Sequence, residues 1–110
     1  MKMQVAKVFS FYYGLSEREV NVLLYLAKNG AKTVEDLEKE LGLSAQLINK
    51  YLVHLYEKGF IKRTKDTTNK VGRPRYIYFV QNLEELKQRI ATEIRQINEK
   101  MIELVEKELT

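Results

Sequence analysis

The sequence predicts a mostly helical α+β fold, and three observations lead to that class. Residues 3–58 combine helical apolar spacing with helix caps and glycine stops, residues 60–80 have an extended pattern, and helical spacing returns from Asn82 onward. A chain of 110 residues with 45% hydrophobic composition suits one domain with one appended element. We therefore expect a domain over residues 1–81 and a C-terminal helix over residues 82–110.

The first two helices are marked by their apolar spacing and by their ends. Residues 3–13 place apolar side chains on roughly one helical face, and Gly14 ends that pattern. Ser16 and Glu19 have the spacing of a capping box, in which each side chain bonds the backbone of the other. The helix that follows should end at Gly30. Its predicted core side consists of Val20, Leu23, Leu24 and Ala27.

Two further caps mark a helix pair separated by a short turn. Thr33, with Asp36 three residues later, should begin a short helix that Gly42 ends. Ser44 then caps a fourth helix that runs to residue 58 before Gly59. The spacing of this fourth helix predicts a buried stripe of Ile48, Leu52 and Leu55. Its opposite side offers Ala45, Gln46, Asn49, Lys50 and Val53.

Residues 60–64 and 76–80 are rich in β-branched and aromatic side chains, which is typical of strands. They bracket a polar loop, residues 65–75, that contains Gly72 and the only proline. We expect a two-stranded hairpin with a long tip. The isolated Gly72 is not followed by the Lys and Ser or Thr of a nucleotide-binding loop.

The C-terminal helix should run for about 27 residues, or roughly 40 Å at 1.5 Å per residue. Its apolar residues recur at heptad positions, interrupted by Lys87 and Glu108, which favours self-association as a coiled coil and hence a homodimer. Packing against its own domain, for instance against residues 3–13, is the alternative. A membrane-surface helix is less favoured because its polar face carries both signs of charge. The predicted dimerisation seam is Leu83, Leu86, Ile90, Ile94, Ile97, Met101 and Leu104.

The positive charge is concentrated in one part of the chain. Residues 44–80 carry eight basic and two acidic side chains, a net charge of +6, whereas residues 1–43 sum to zero and residues 81–110 to −2. A solvated basic loop would explain such a run on its own. Because the run follows a helix-turn-helix pattern directly, we interpret it as a surface for double-stranded DNA.

The fourth helix supplies the candidate base contacts. Gln46 and Asn49 can each make two hydrogen bonds with adenine, and Lys50 can reach guanine or a phosphate. Ser44 can cap the helix and also bond a phosphate at the helix N-terminus. Each of these side chains has an alternative as an ordinary exposed helix residue. These side chains together therefore indicate a DNA-reading surface more strongly than any one of them does alone.

The remaining candidates flank this helix or lie on the hairpin. Tyr51 is ambiguous between the core edge and the DNA face, and the single histidine, His54, fits a phosphate contact or a plain surface position better than a metal site. Arg73 or Arg75 can lie along a minor groove, whereas the other hairpin cations suit phosphates. The full candidate set is Ser44, Ala45, Gln46, Asn49, Lys50, Tyr51, His54, Lys62, Arg63, Lys65, Lys70, Arg73 and Arg75.

Three runs carry a resemblance to known regulators: Tyr13-Gly-Leu-Ser-Glu-Arg-Glu-Val20, Leu55-Tyr-Glu-Lys-Gly-Phe-Ile61 and Gly72-Arg-Pro-Arg-Tyr76. Over residues 13–80 the chain resembles archaeal and bacterial winged helix-turn-helix regulators of the TrmB, MarR and ArsR type. The resemblance implies a dimeric transcription factor, with residues 44–54 as recognition helix and residues 62–75 as wing. The chain differs from full-length TrmB proteins in lacking a sugar-binding domain, and from metal-sensing ArsR proteins in lacking cysteine ligands. No effector is therefore identified.

Composition argues against several other functions. One histidine, two aspartates and no cysteine do not supply the residues needed for nucleophilic, phosphoryl-transfer or metal-dependent catalysis, so we expect neither an enzyme nor a cofactor or metal site. Without cysteine, a signal-like amino terminus or an apolar span, a cytoplasmic protein with no membrane partner is expected. The main alternative function is a protein-interaction module in a transcription or replication assembly, and RNA binding is a weaker one.

Overall fold

The computed structural model describes residues 4–67 and 75–109, and the mostly helical α+β class predicted from the sequence is confirmed. The described elements form a winged helix-turn-helix arrangement with a long final helix. They are α1 (Val5–Tyr13), α2 (Glu17–Asn29), α3 (Val34–Leu41), α4 (Ala45–Glu57), β1 (Lys62–Asp66), β2 (Arg75–Phe79) and α5 (Leu83–Glu108).

The predicted caps set the ends of the first helices. The Ser16 hydroxyl accepts a hydrogen bond of 3.2 Å from the Glu19 N–H, and the Glu19 carboxylate accepts one of 3.0 Å from the Ser16 N–H. Thr33 and Asp36 repeat the same reciprocal pair at 3.1 and 3.0 Å. The capping boxes are confirmed, and they satisfy backbone groups that the first helical turn leaves unpaired.

The core lies where α2, α3 and α4 meet. Its fully buried side chains include Val20 and Leu26 of α2, Leu37 of α3 and the predicted stripe of α4. Of the predicted core side of α2, Ala27 is only half-buried and Leu24 was wrong: it is 44% exposed, whereas Val22 is fully buried. Successive residues are rotated by about 100° around a helix, so the buried stripe of α2 is centred away from Leu24.

The two strands pair in antiparallel register, with Lys62 opposite Phe79 and Asp66 opposite Arg75. β1 begins two residues later than the sequence indicated, because Phe60 and Ile61 are buried in the core before the strand starts. The connection between α2 and α3 also reaches the hairpin through an isolated bridge between Lys32 and Tyr78. The hairpin is thus fixed to the helices at its base.

α5 has 26 residues and extends well past the helix-turn-helix, in a molecule measuring 65 × 24 × 21 Å. None of its residues is fully buried, and its contacts with the domain include residues between Leu86 and Asn98. Leu86 and Ile90 pack against the core, while the Tyr12 and Tyr13 hydroxyls of α1 donate to Asn98 and Glu93. No helix in the described part of the chain is both long and apolar enough to cross a membrane.

These contacts correct the predicted dimerisation seam. Leu86 and Ile90 were assigned to it, but they cover the protein's own core, as the alternative of intramolecular packing required. Ile94 is half-buried on the same part of the helix. The rest of the predicted seam is exposed and consists of Leu83, Ile97, Met101 and Leu104.

Candidate nucleic-acid interface

α4 is anchored on one side and open on the other. Ile48, Leu52 and Leu55 are each 0% exposed, and they fix the helix against α2 and α3. The Ser44 hydroxyl caps α4 by accepting a 3.2 Å hydrogen bond from the Leu47 N–H. Because the buried stripe is continuous, the opposite face has to point to solvent.

That face carries the predicted base contacts. Gln46, Asn49 and Lys50 are exposed, as is Ser44, and Ala45 is half-buried at the start of the helix. Tyr51 does not belong to the exposed face: it is 7% exposed and forms part of the core. Of the two positions that the sequence allowed for Tyr51, the structure therefore has the core position, and little of its side chain is accessible to DNA.

Tyr56 is a surface residue that the sequence reasoning missed. It is 38% exposed and lies on α4 at the spacing that continues the row of Gln46, Asn49 and Val53. Positions separated by three, seven and ten residues fall on one face of a helix, so this spacing was a usable signal. The exposed face of α4 is therefore polar at its first turn and contains an aromatic side chain near its end.

His54 connects α4 to α2. Its Nδ1 contacts the carboxylate of Glu19, which is 8% exposed. Burial by itself would raise the pKa of Glu19, but hydrogen bonds from the Ser16 backbone, from His54 and from the Ser16 side chain lower it overall. The interpretation of His54 as a plain surface residue is wrong, since one ring nitrogen is used within the domain.

The described part of the hairpin presents a row of cations. Lys62, Arg63 and Lys65 are all exposed on β1. The guanidinium carbon of Arg63 lies 4.2 Å from the ring centroid of Tyr56 and 4.5 Å from that of Tyr76. Arg63 is thus held between an aromatic ring of α4 and one of β2, which joins the hairpin to the helix.

A third tyrosine beside Arg63 favours the charged form of its guanidinium. A hydrogen bond with the Tyr78 side chain raises the pKa of Arg63 above its ordinary value. Arg75, at the start of β2, instead forms a 3.5 Å ion pair with Glu35 of α3. Lys70 and Arg73, the other two predicted cations, lie outside the described residues.

The described residues do not bring together any group of histidine, aspartate and glutamate side chains suited to a metal ion. The buried Glu19 pairs with His54 and caps α2, so its burial is explained by structure. The arrangement brings together one exposed helix face, one basic strand and the aromatic contacts between them. Chemically, it offers amide and ammonium groups for hydrogen bonding and cations for phosphate.

Comparisons with known proteins identify relatives of this arrangement. The family model described as "Sugar-specific transcriptional regulator TrmB" matches residues 9–84. No curated protein matches the sequence. A possible transcriptional regulator from Methanosarcina mazei Go1 superposes with a TM-score of 0.82 at 16% identity, covering 97% of this chain and 90% of that one.

Two further solved structures share the fold. A transcriptional regulator homologue from Pyrococcus horikoshii OT3 gives a TM-score of 0.58 at 18% identity and covers 90% of this chain and 98% of its own. Overoxidized AbfR, solved bound to DNA, gives 0.58 at 20% identity, covering 96% and 81%. The family and the shared fold are those of winged-helix transcriptional regulators, which are not enzymes.

The Glu19 site gives a prediction for acid stability. A carboxylate with a lowered pKa stabilises the folded state above the unfolded-state pKa, about 4.3 for glutamate, and loses that contribution as pH falls through the lower folded value. Glu19→Gln should lower the free energy of unfolding at pH 7 by about 1–2 kcal/mol, because it weakens the capping box and the His54 contact.

Chemical denaturation at several pH values measures this effect. The difference between wild type and Glu19→Gln should shrink as the pH is lowered below about 4. Glu17→Gln is the matched control, since Glu17 lies in the same helical turn but is exposed, and it should change stability less. A Glu19→Gln protein as stable as wild type at pH 7 would contradict the assignment.

Proposed function

The chain belongs to the TrmB family of transcriptional regulators, and on that premise we propose that it binds specific sites in double-stranded DNA as a homodimer. In this proposal α4 enters the major groove, and the hairpin of β1 and β2, which we call the wing, lies on the adjacent backbone or minor groove. The observation that carries the proposal is the exposed face of α4 beside a basic strand, within a segment of net charge +6.

Sequence reading is assigned to the first turns of α4. Gln46 and Asn49 are exposed side-chain amides one helical turn apart, and an amide can both donate to and accept from the edge of adenine. Lys50 can donate to guanine or to a phosphate. Ser44 and Ala45 begin the helix, where the backbone N–H groups and the helix dipole favour a phosphate.

The wing supplies contacts that are independent of sequence. Lys62 and Lys65 are exposed cations of β1 suited to phosphates, and Arg63 presents its charge at a fixed place between two tyrosine rings. Lys70 and Arg73 are proposed to extend this surface along the flanking backbone or the minor groove.

Two of the proposed contacts already have partners within the protein. The ion pair of Arg75 with Glu35 joins two half-exposed side chains, and such a pair contributes only about 0–1 kcal/mol. A phosphate can therefore replace Glu35 at little cost. His54 uses Nδ1 for Glu19, which leaves Nε2 for a phosphate. The structural relative overoxidized AbfR was solved bound to DNA, which supports DNA as the partner of this fold.

Dimerisation is assigned to the distal half of α5, where two adjacent apolar rows are exposed. Ile97, Met101 and Leu104 form one row, and the second consists of Ile102, Val105 and Leu109. Together they span about 18 Å of helix, a large apolar surface for a soluble domain. Phe11 of α1 is 70% exposed, and its ring centroid lies 4.9 Å from that of Tyr12, whose hydroxyl bonds Asn98 of α5.

A second copy of the same helix is the occupant that fits this face. A two-fold dimer needs one self-complementary patch, and two apolar rows flanked by both glutamate and lysine satisfy that need. In this proposal residues 82–110 serve as the dimerisation element of the domain formed by residues 1–81. A winged-helix module that docks a different protein through α5 is the alternative.

Binding should weaken steeply with salt, since the wing neutralises phosphates and releases their counterions. Lys62→Ala and Lys65→Ala should each reduce the slope of log affinity against log salt by about one. Fluorescence anisotropy with a labelled duplex at several salt concentrations measures the slope. Lys100→Ala, on the distal half of α5, is the control and should leave it unchanged. A flat salt response of the wild type would refute DNA binding through the wing.

Specificity should depend on the amides of α4. Gln46→Ala and Asn49→Ala should each reduce discrimination between a selected site and its single-base variants by about 1–3 kcal/mol, because each removes a base contact. Selection from a random DNA pool supplies the site, and competition binding gives the discrimination. Asn21→Ala, at an exposed amide of α2, is the control. If neither Gln46→Ala nor Asn49→Ala changes the site preference, these two side chains do not read the DNA sequence.

The dimer should dissociate when a charge enters its apolar face. Ile97→Lys and Ile102→Lys place an ammonium in the two exposed rows, and each should shift the mass measured by light scattering from dimer to monomer. Gln96→Lys is the control, since it adds the same charge at an exposed polar position of the same helix. A monomeric wild type would favour the protein-docking alternative, and dimeric lysine variants would place the interface elsewhere.

A further inference from the structure

The position of α5 relative to α4 depends on few contacts. No residue of α5 is fully buried, and its apolar attachment to the core consists of the half-buried Leu86 and Ile90. Apolar contacts of this kind are not directional, so they leave the angle of the helix weakly determined. Directional contacts therefore have a large effect on that angle.

Arg89 makes such contacts with the residues that directly follow α4. Its Nη1 donates to the Gly59 carbonyl at 2.8 Å, and its Nη2 donates to the Lys58 carbonyl at 2.7 Å. The guanidinium carbon also lies 5.2 Å from the centroid of the Phe60 ring. One planar side chain of α5 thus contacts the three consecutive residues that follow α4.

The end of α4 is suited to this contact. The C-terminus of a helix carries partial negative charge, and the carbonyl of its C-cap residue, here Lys58, has no partner within the helix, so a guanidinium there is favourable. Gly59 has a φ of 77°, which favours glycine, and a Cβ at that position would lie 3.1 Å from Nη1 of Arg89. The glycine that ends the recognition helix also leaves room for the arginine.

A second residue fixes the orientation of the guanidinium. Arg89 Nε contacts Glu93 at 3.3 Å, and the other carboxylate oxygen of Glu93 accepts a 2.7 Å hydrogen bond from the Tyr13 hydroxyl of α1. Burial, together with the Glu93 contact, raises the pKa of Tyr13 to about 12, which is consistent with its hydroxyl donating the hydrogen bond to Glu93. Arg89 is consequently held from both sides.

We propose that Arg89 is a positioning residue for DNA recognition, which fixes the angle between α4 and α5 and so sets the half-site spacing that the dimer accepts. This inference rests on the proposed homodimer. If the two copies join through the distal half of α5, the distance between their recognition helices depends on the angle at which each α5 leaves its domain. A rotation of about 10° over roughly 20 Å of helix moves its end by about one base-pair rise of 3.4 Å.

The test uses the full chain and synthetic duplexes. Each duplex carries two copies of the selected half-site, at the preferred separation or with one or two base pairs added or removed, and a further duplex carries a single half-site. Anisotropy gives the affinities, light scattering gives the mass, and circular dichroism checks folding. Arg89→Ala is compared with Arg95→Ala, which removes an exposed arginine six residues along the same helix.

We expect wild type and Arg95→Ala to bind the preferred spacing at least tenfold more tightly than a spacing changed by two base pairs. Arg89→Ala should remain dimeric and bind the single half-site within about twofold of wild type, yet discriminate between spacings by less than about threefold. Arg89→Lys should be intermediate, because an ammonium lacks the planar fork that reaches two carbonyls at once.

Two results would overturn the inference. One is a dimeric Arg89→Ala protein that keeps the full spacing preference. The other is an Arg89→Ala protein whose affinity falls equally for every duplex, including the single half-site, since that result shows only a damaged α4. If Arg89→Ala does not fold, the same criteria apply to Arg89→Lys. If the wild-type protein shows no spacing preference, the proposed binding of two half-sites by one dimer is refuted, and this inference with it.

Discussion

The burial of one stripe of α4 is the constraint on which the rest of the structure depends. Ile48, Leu52 and Leu55 are fully buried against α2 and α3, so the rotation of α4 about its own axis is fixed. Rotating the helix by one residue would expose these side chains, each of which gains about 1.5–3 kcal/mol from burial. The exposed position of Gln46 and Asn49 is therefore a consequence of core packing rather than of any local preference.

Apolar packing fixes the rotation of α4, and polar contacts fix its neighbours. The Glu19 carboxylate caps α2 and contacts His54, so a single buried acid links the start of one helix to the side of another. Arg63 joins the wing to Tyr56 by stacking, and Arg89 joins α5 to the carbonyls of Lys58 and Gly59, just after α4. These contacts attach three separate elements to α4 and to the residues that directly follow it.

The parts of the fold that local chemistry determines were predictable. Helix ends follow from capping boxes and glycines, and the buried stripe of α4 follows from its spacing. The errors concern which side of a helix packs against neighbouring elements. Leu24 was placed in the core of α2, and Leu86 of α5 was assigned to a dimer seam. Contacts such as those of Arg89 join residues about 30 positions apart, and no periodicity within a single helix can indicate them.

The cations of the wing differ in how firmly the protein holds them. Arg63 lies between two tyrosine rings and Arg75 is paired with Glu35, whereas Lys62 and Lys65 are exposed on β1. A lysine on a flexible stem acts as a mobile point charge, and a stacked guanidinium has a fixed direction. The lysines are thus suited to a long-range attraction toward phosphates, and salt weakens that attraction by screening. Arg63 is suited to define the final position of the wing on the DNA. In the proposed DNA complex, the basic side chains of this segment would therefore have two physical roles, and the aromatic neighbours of Arg63 distinguish it from the lysines.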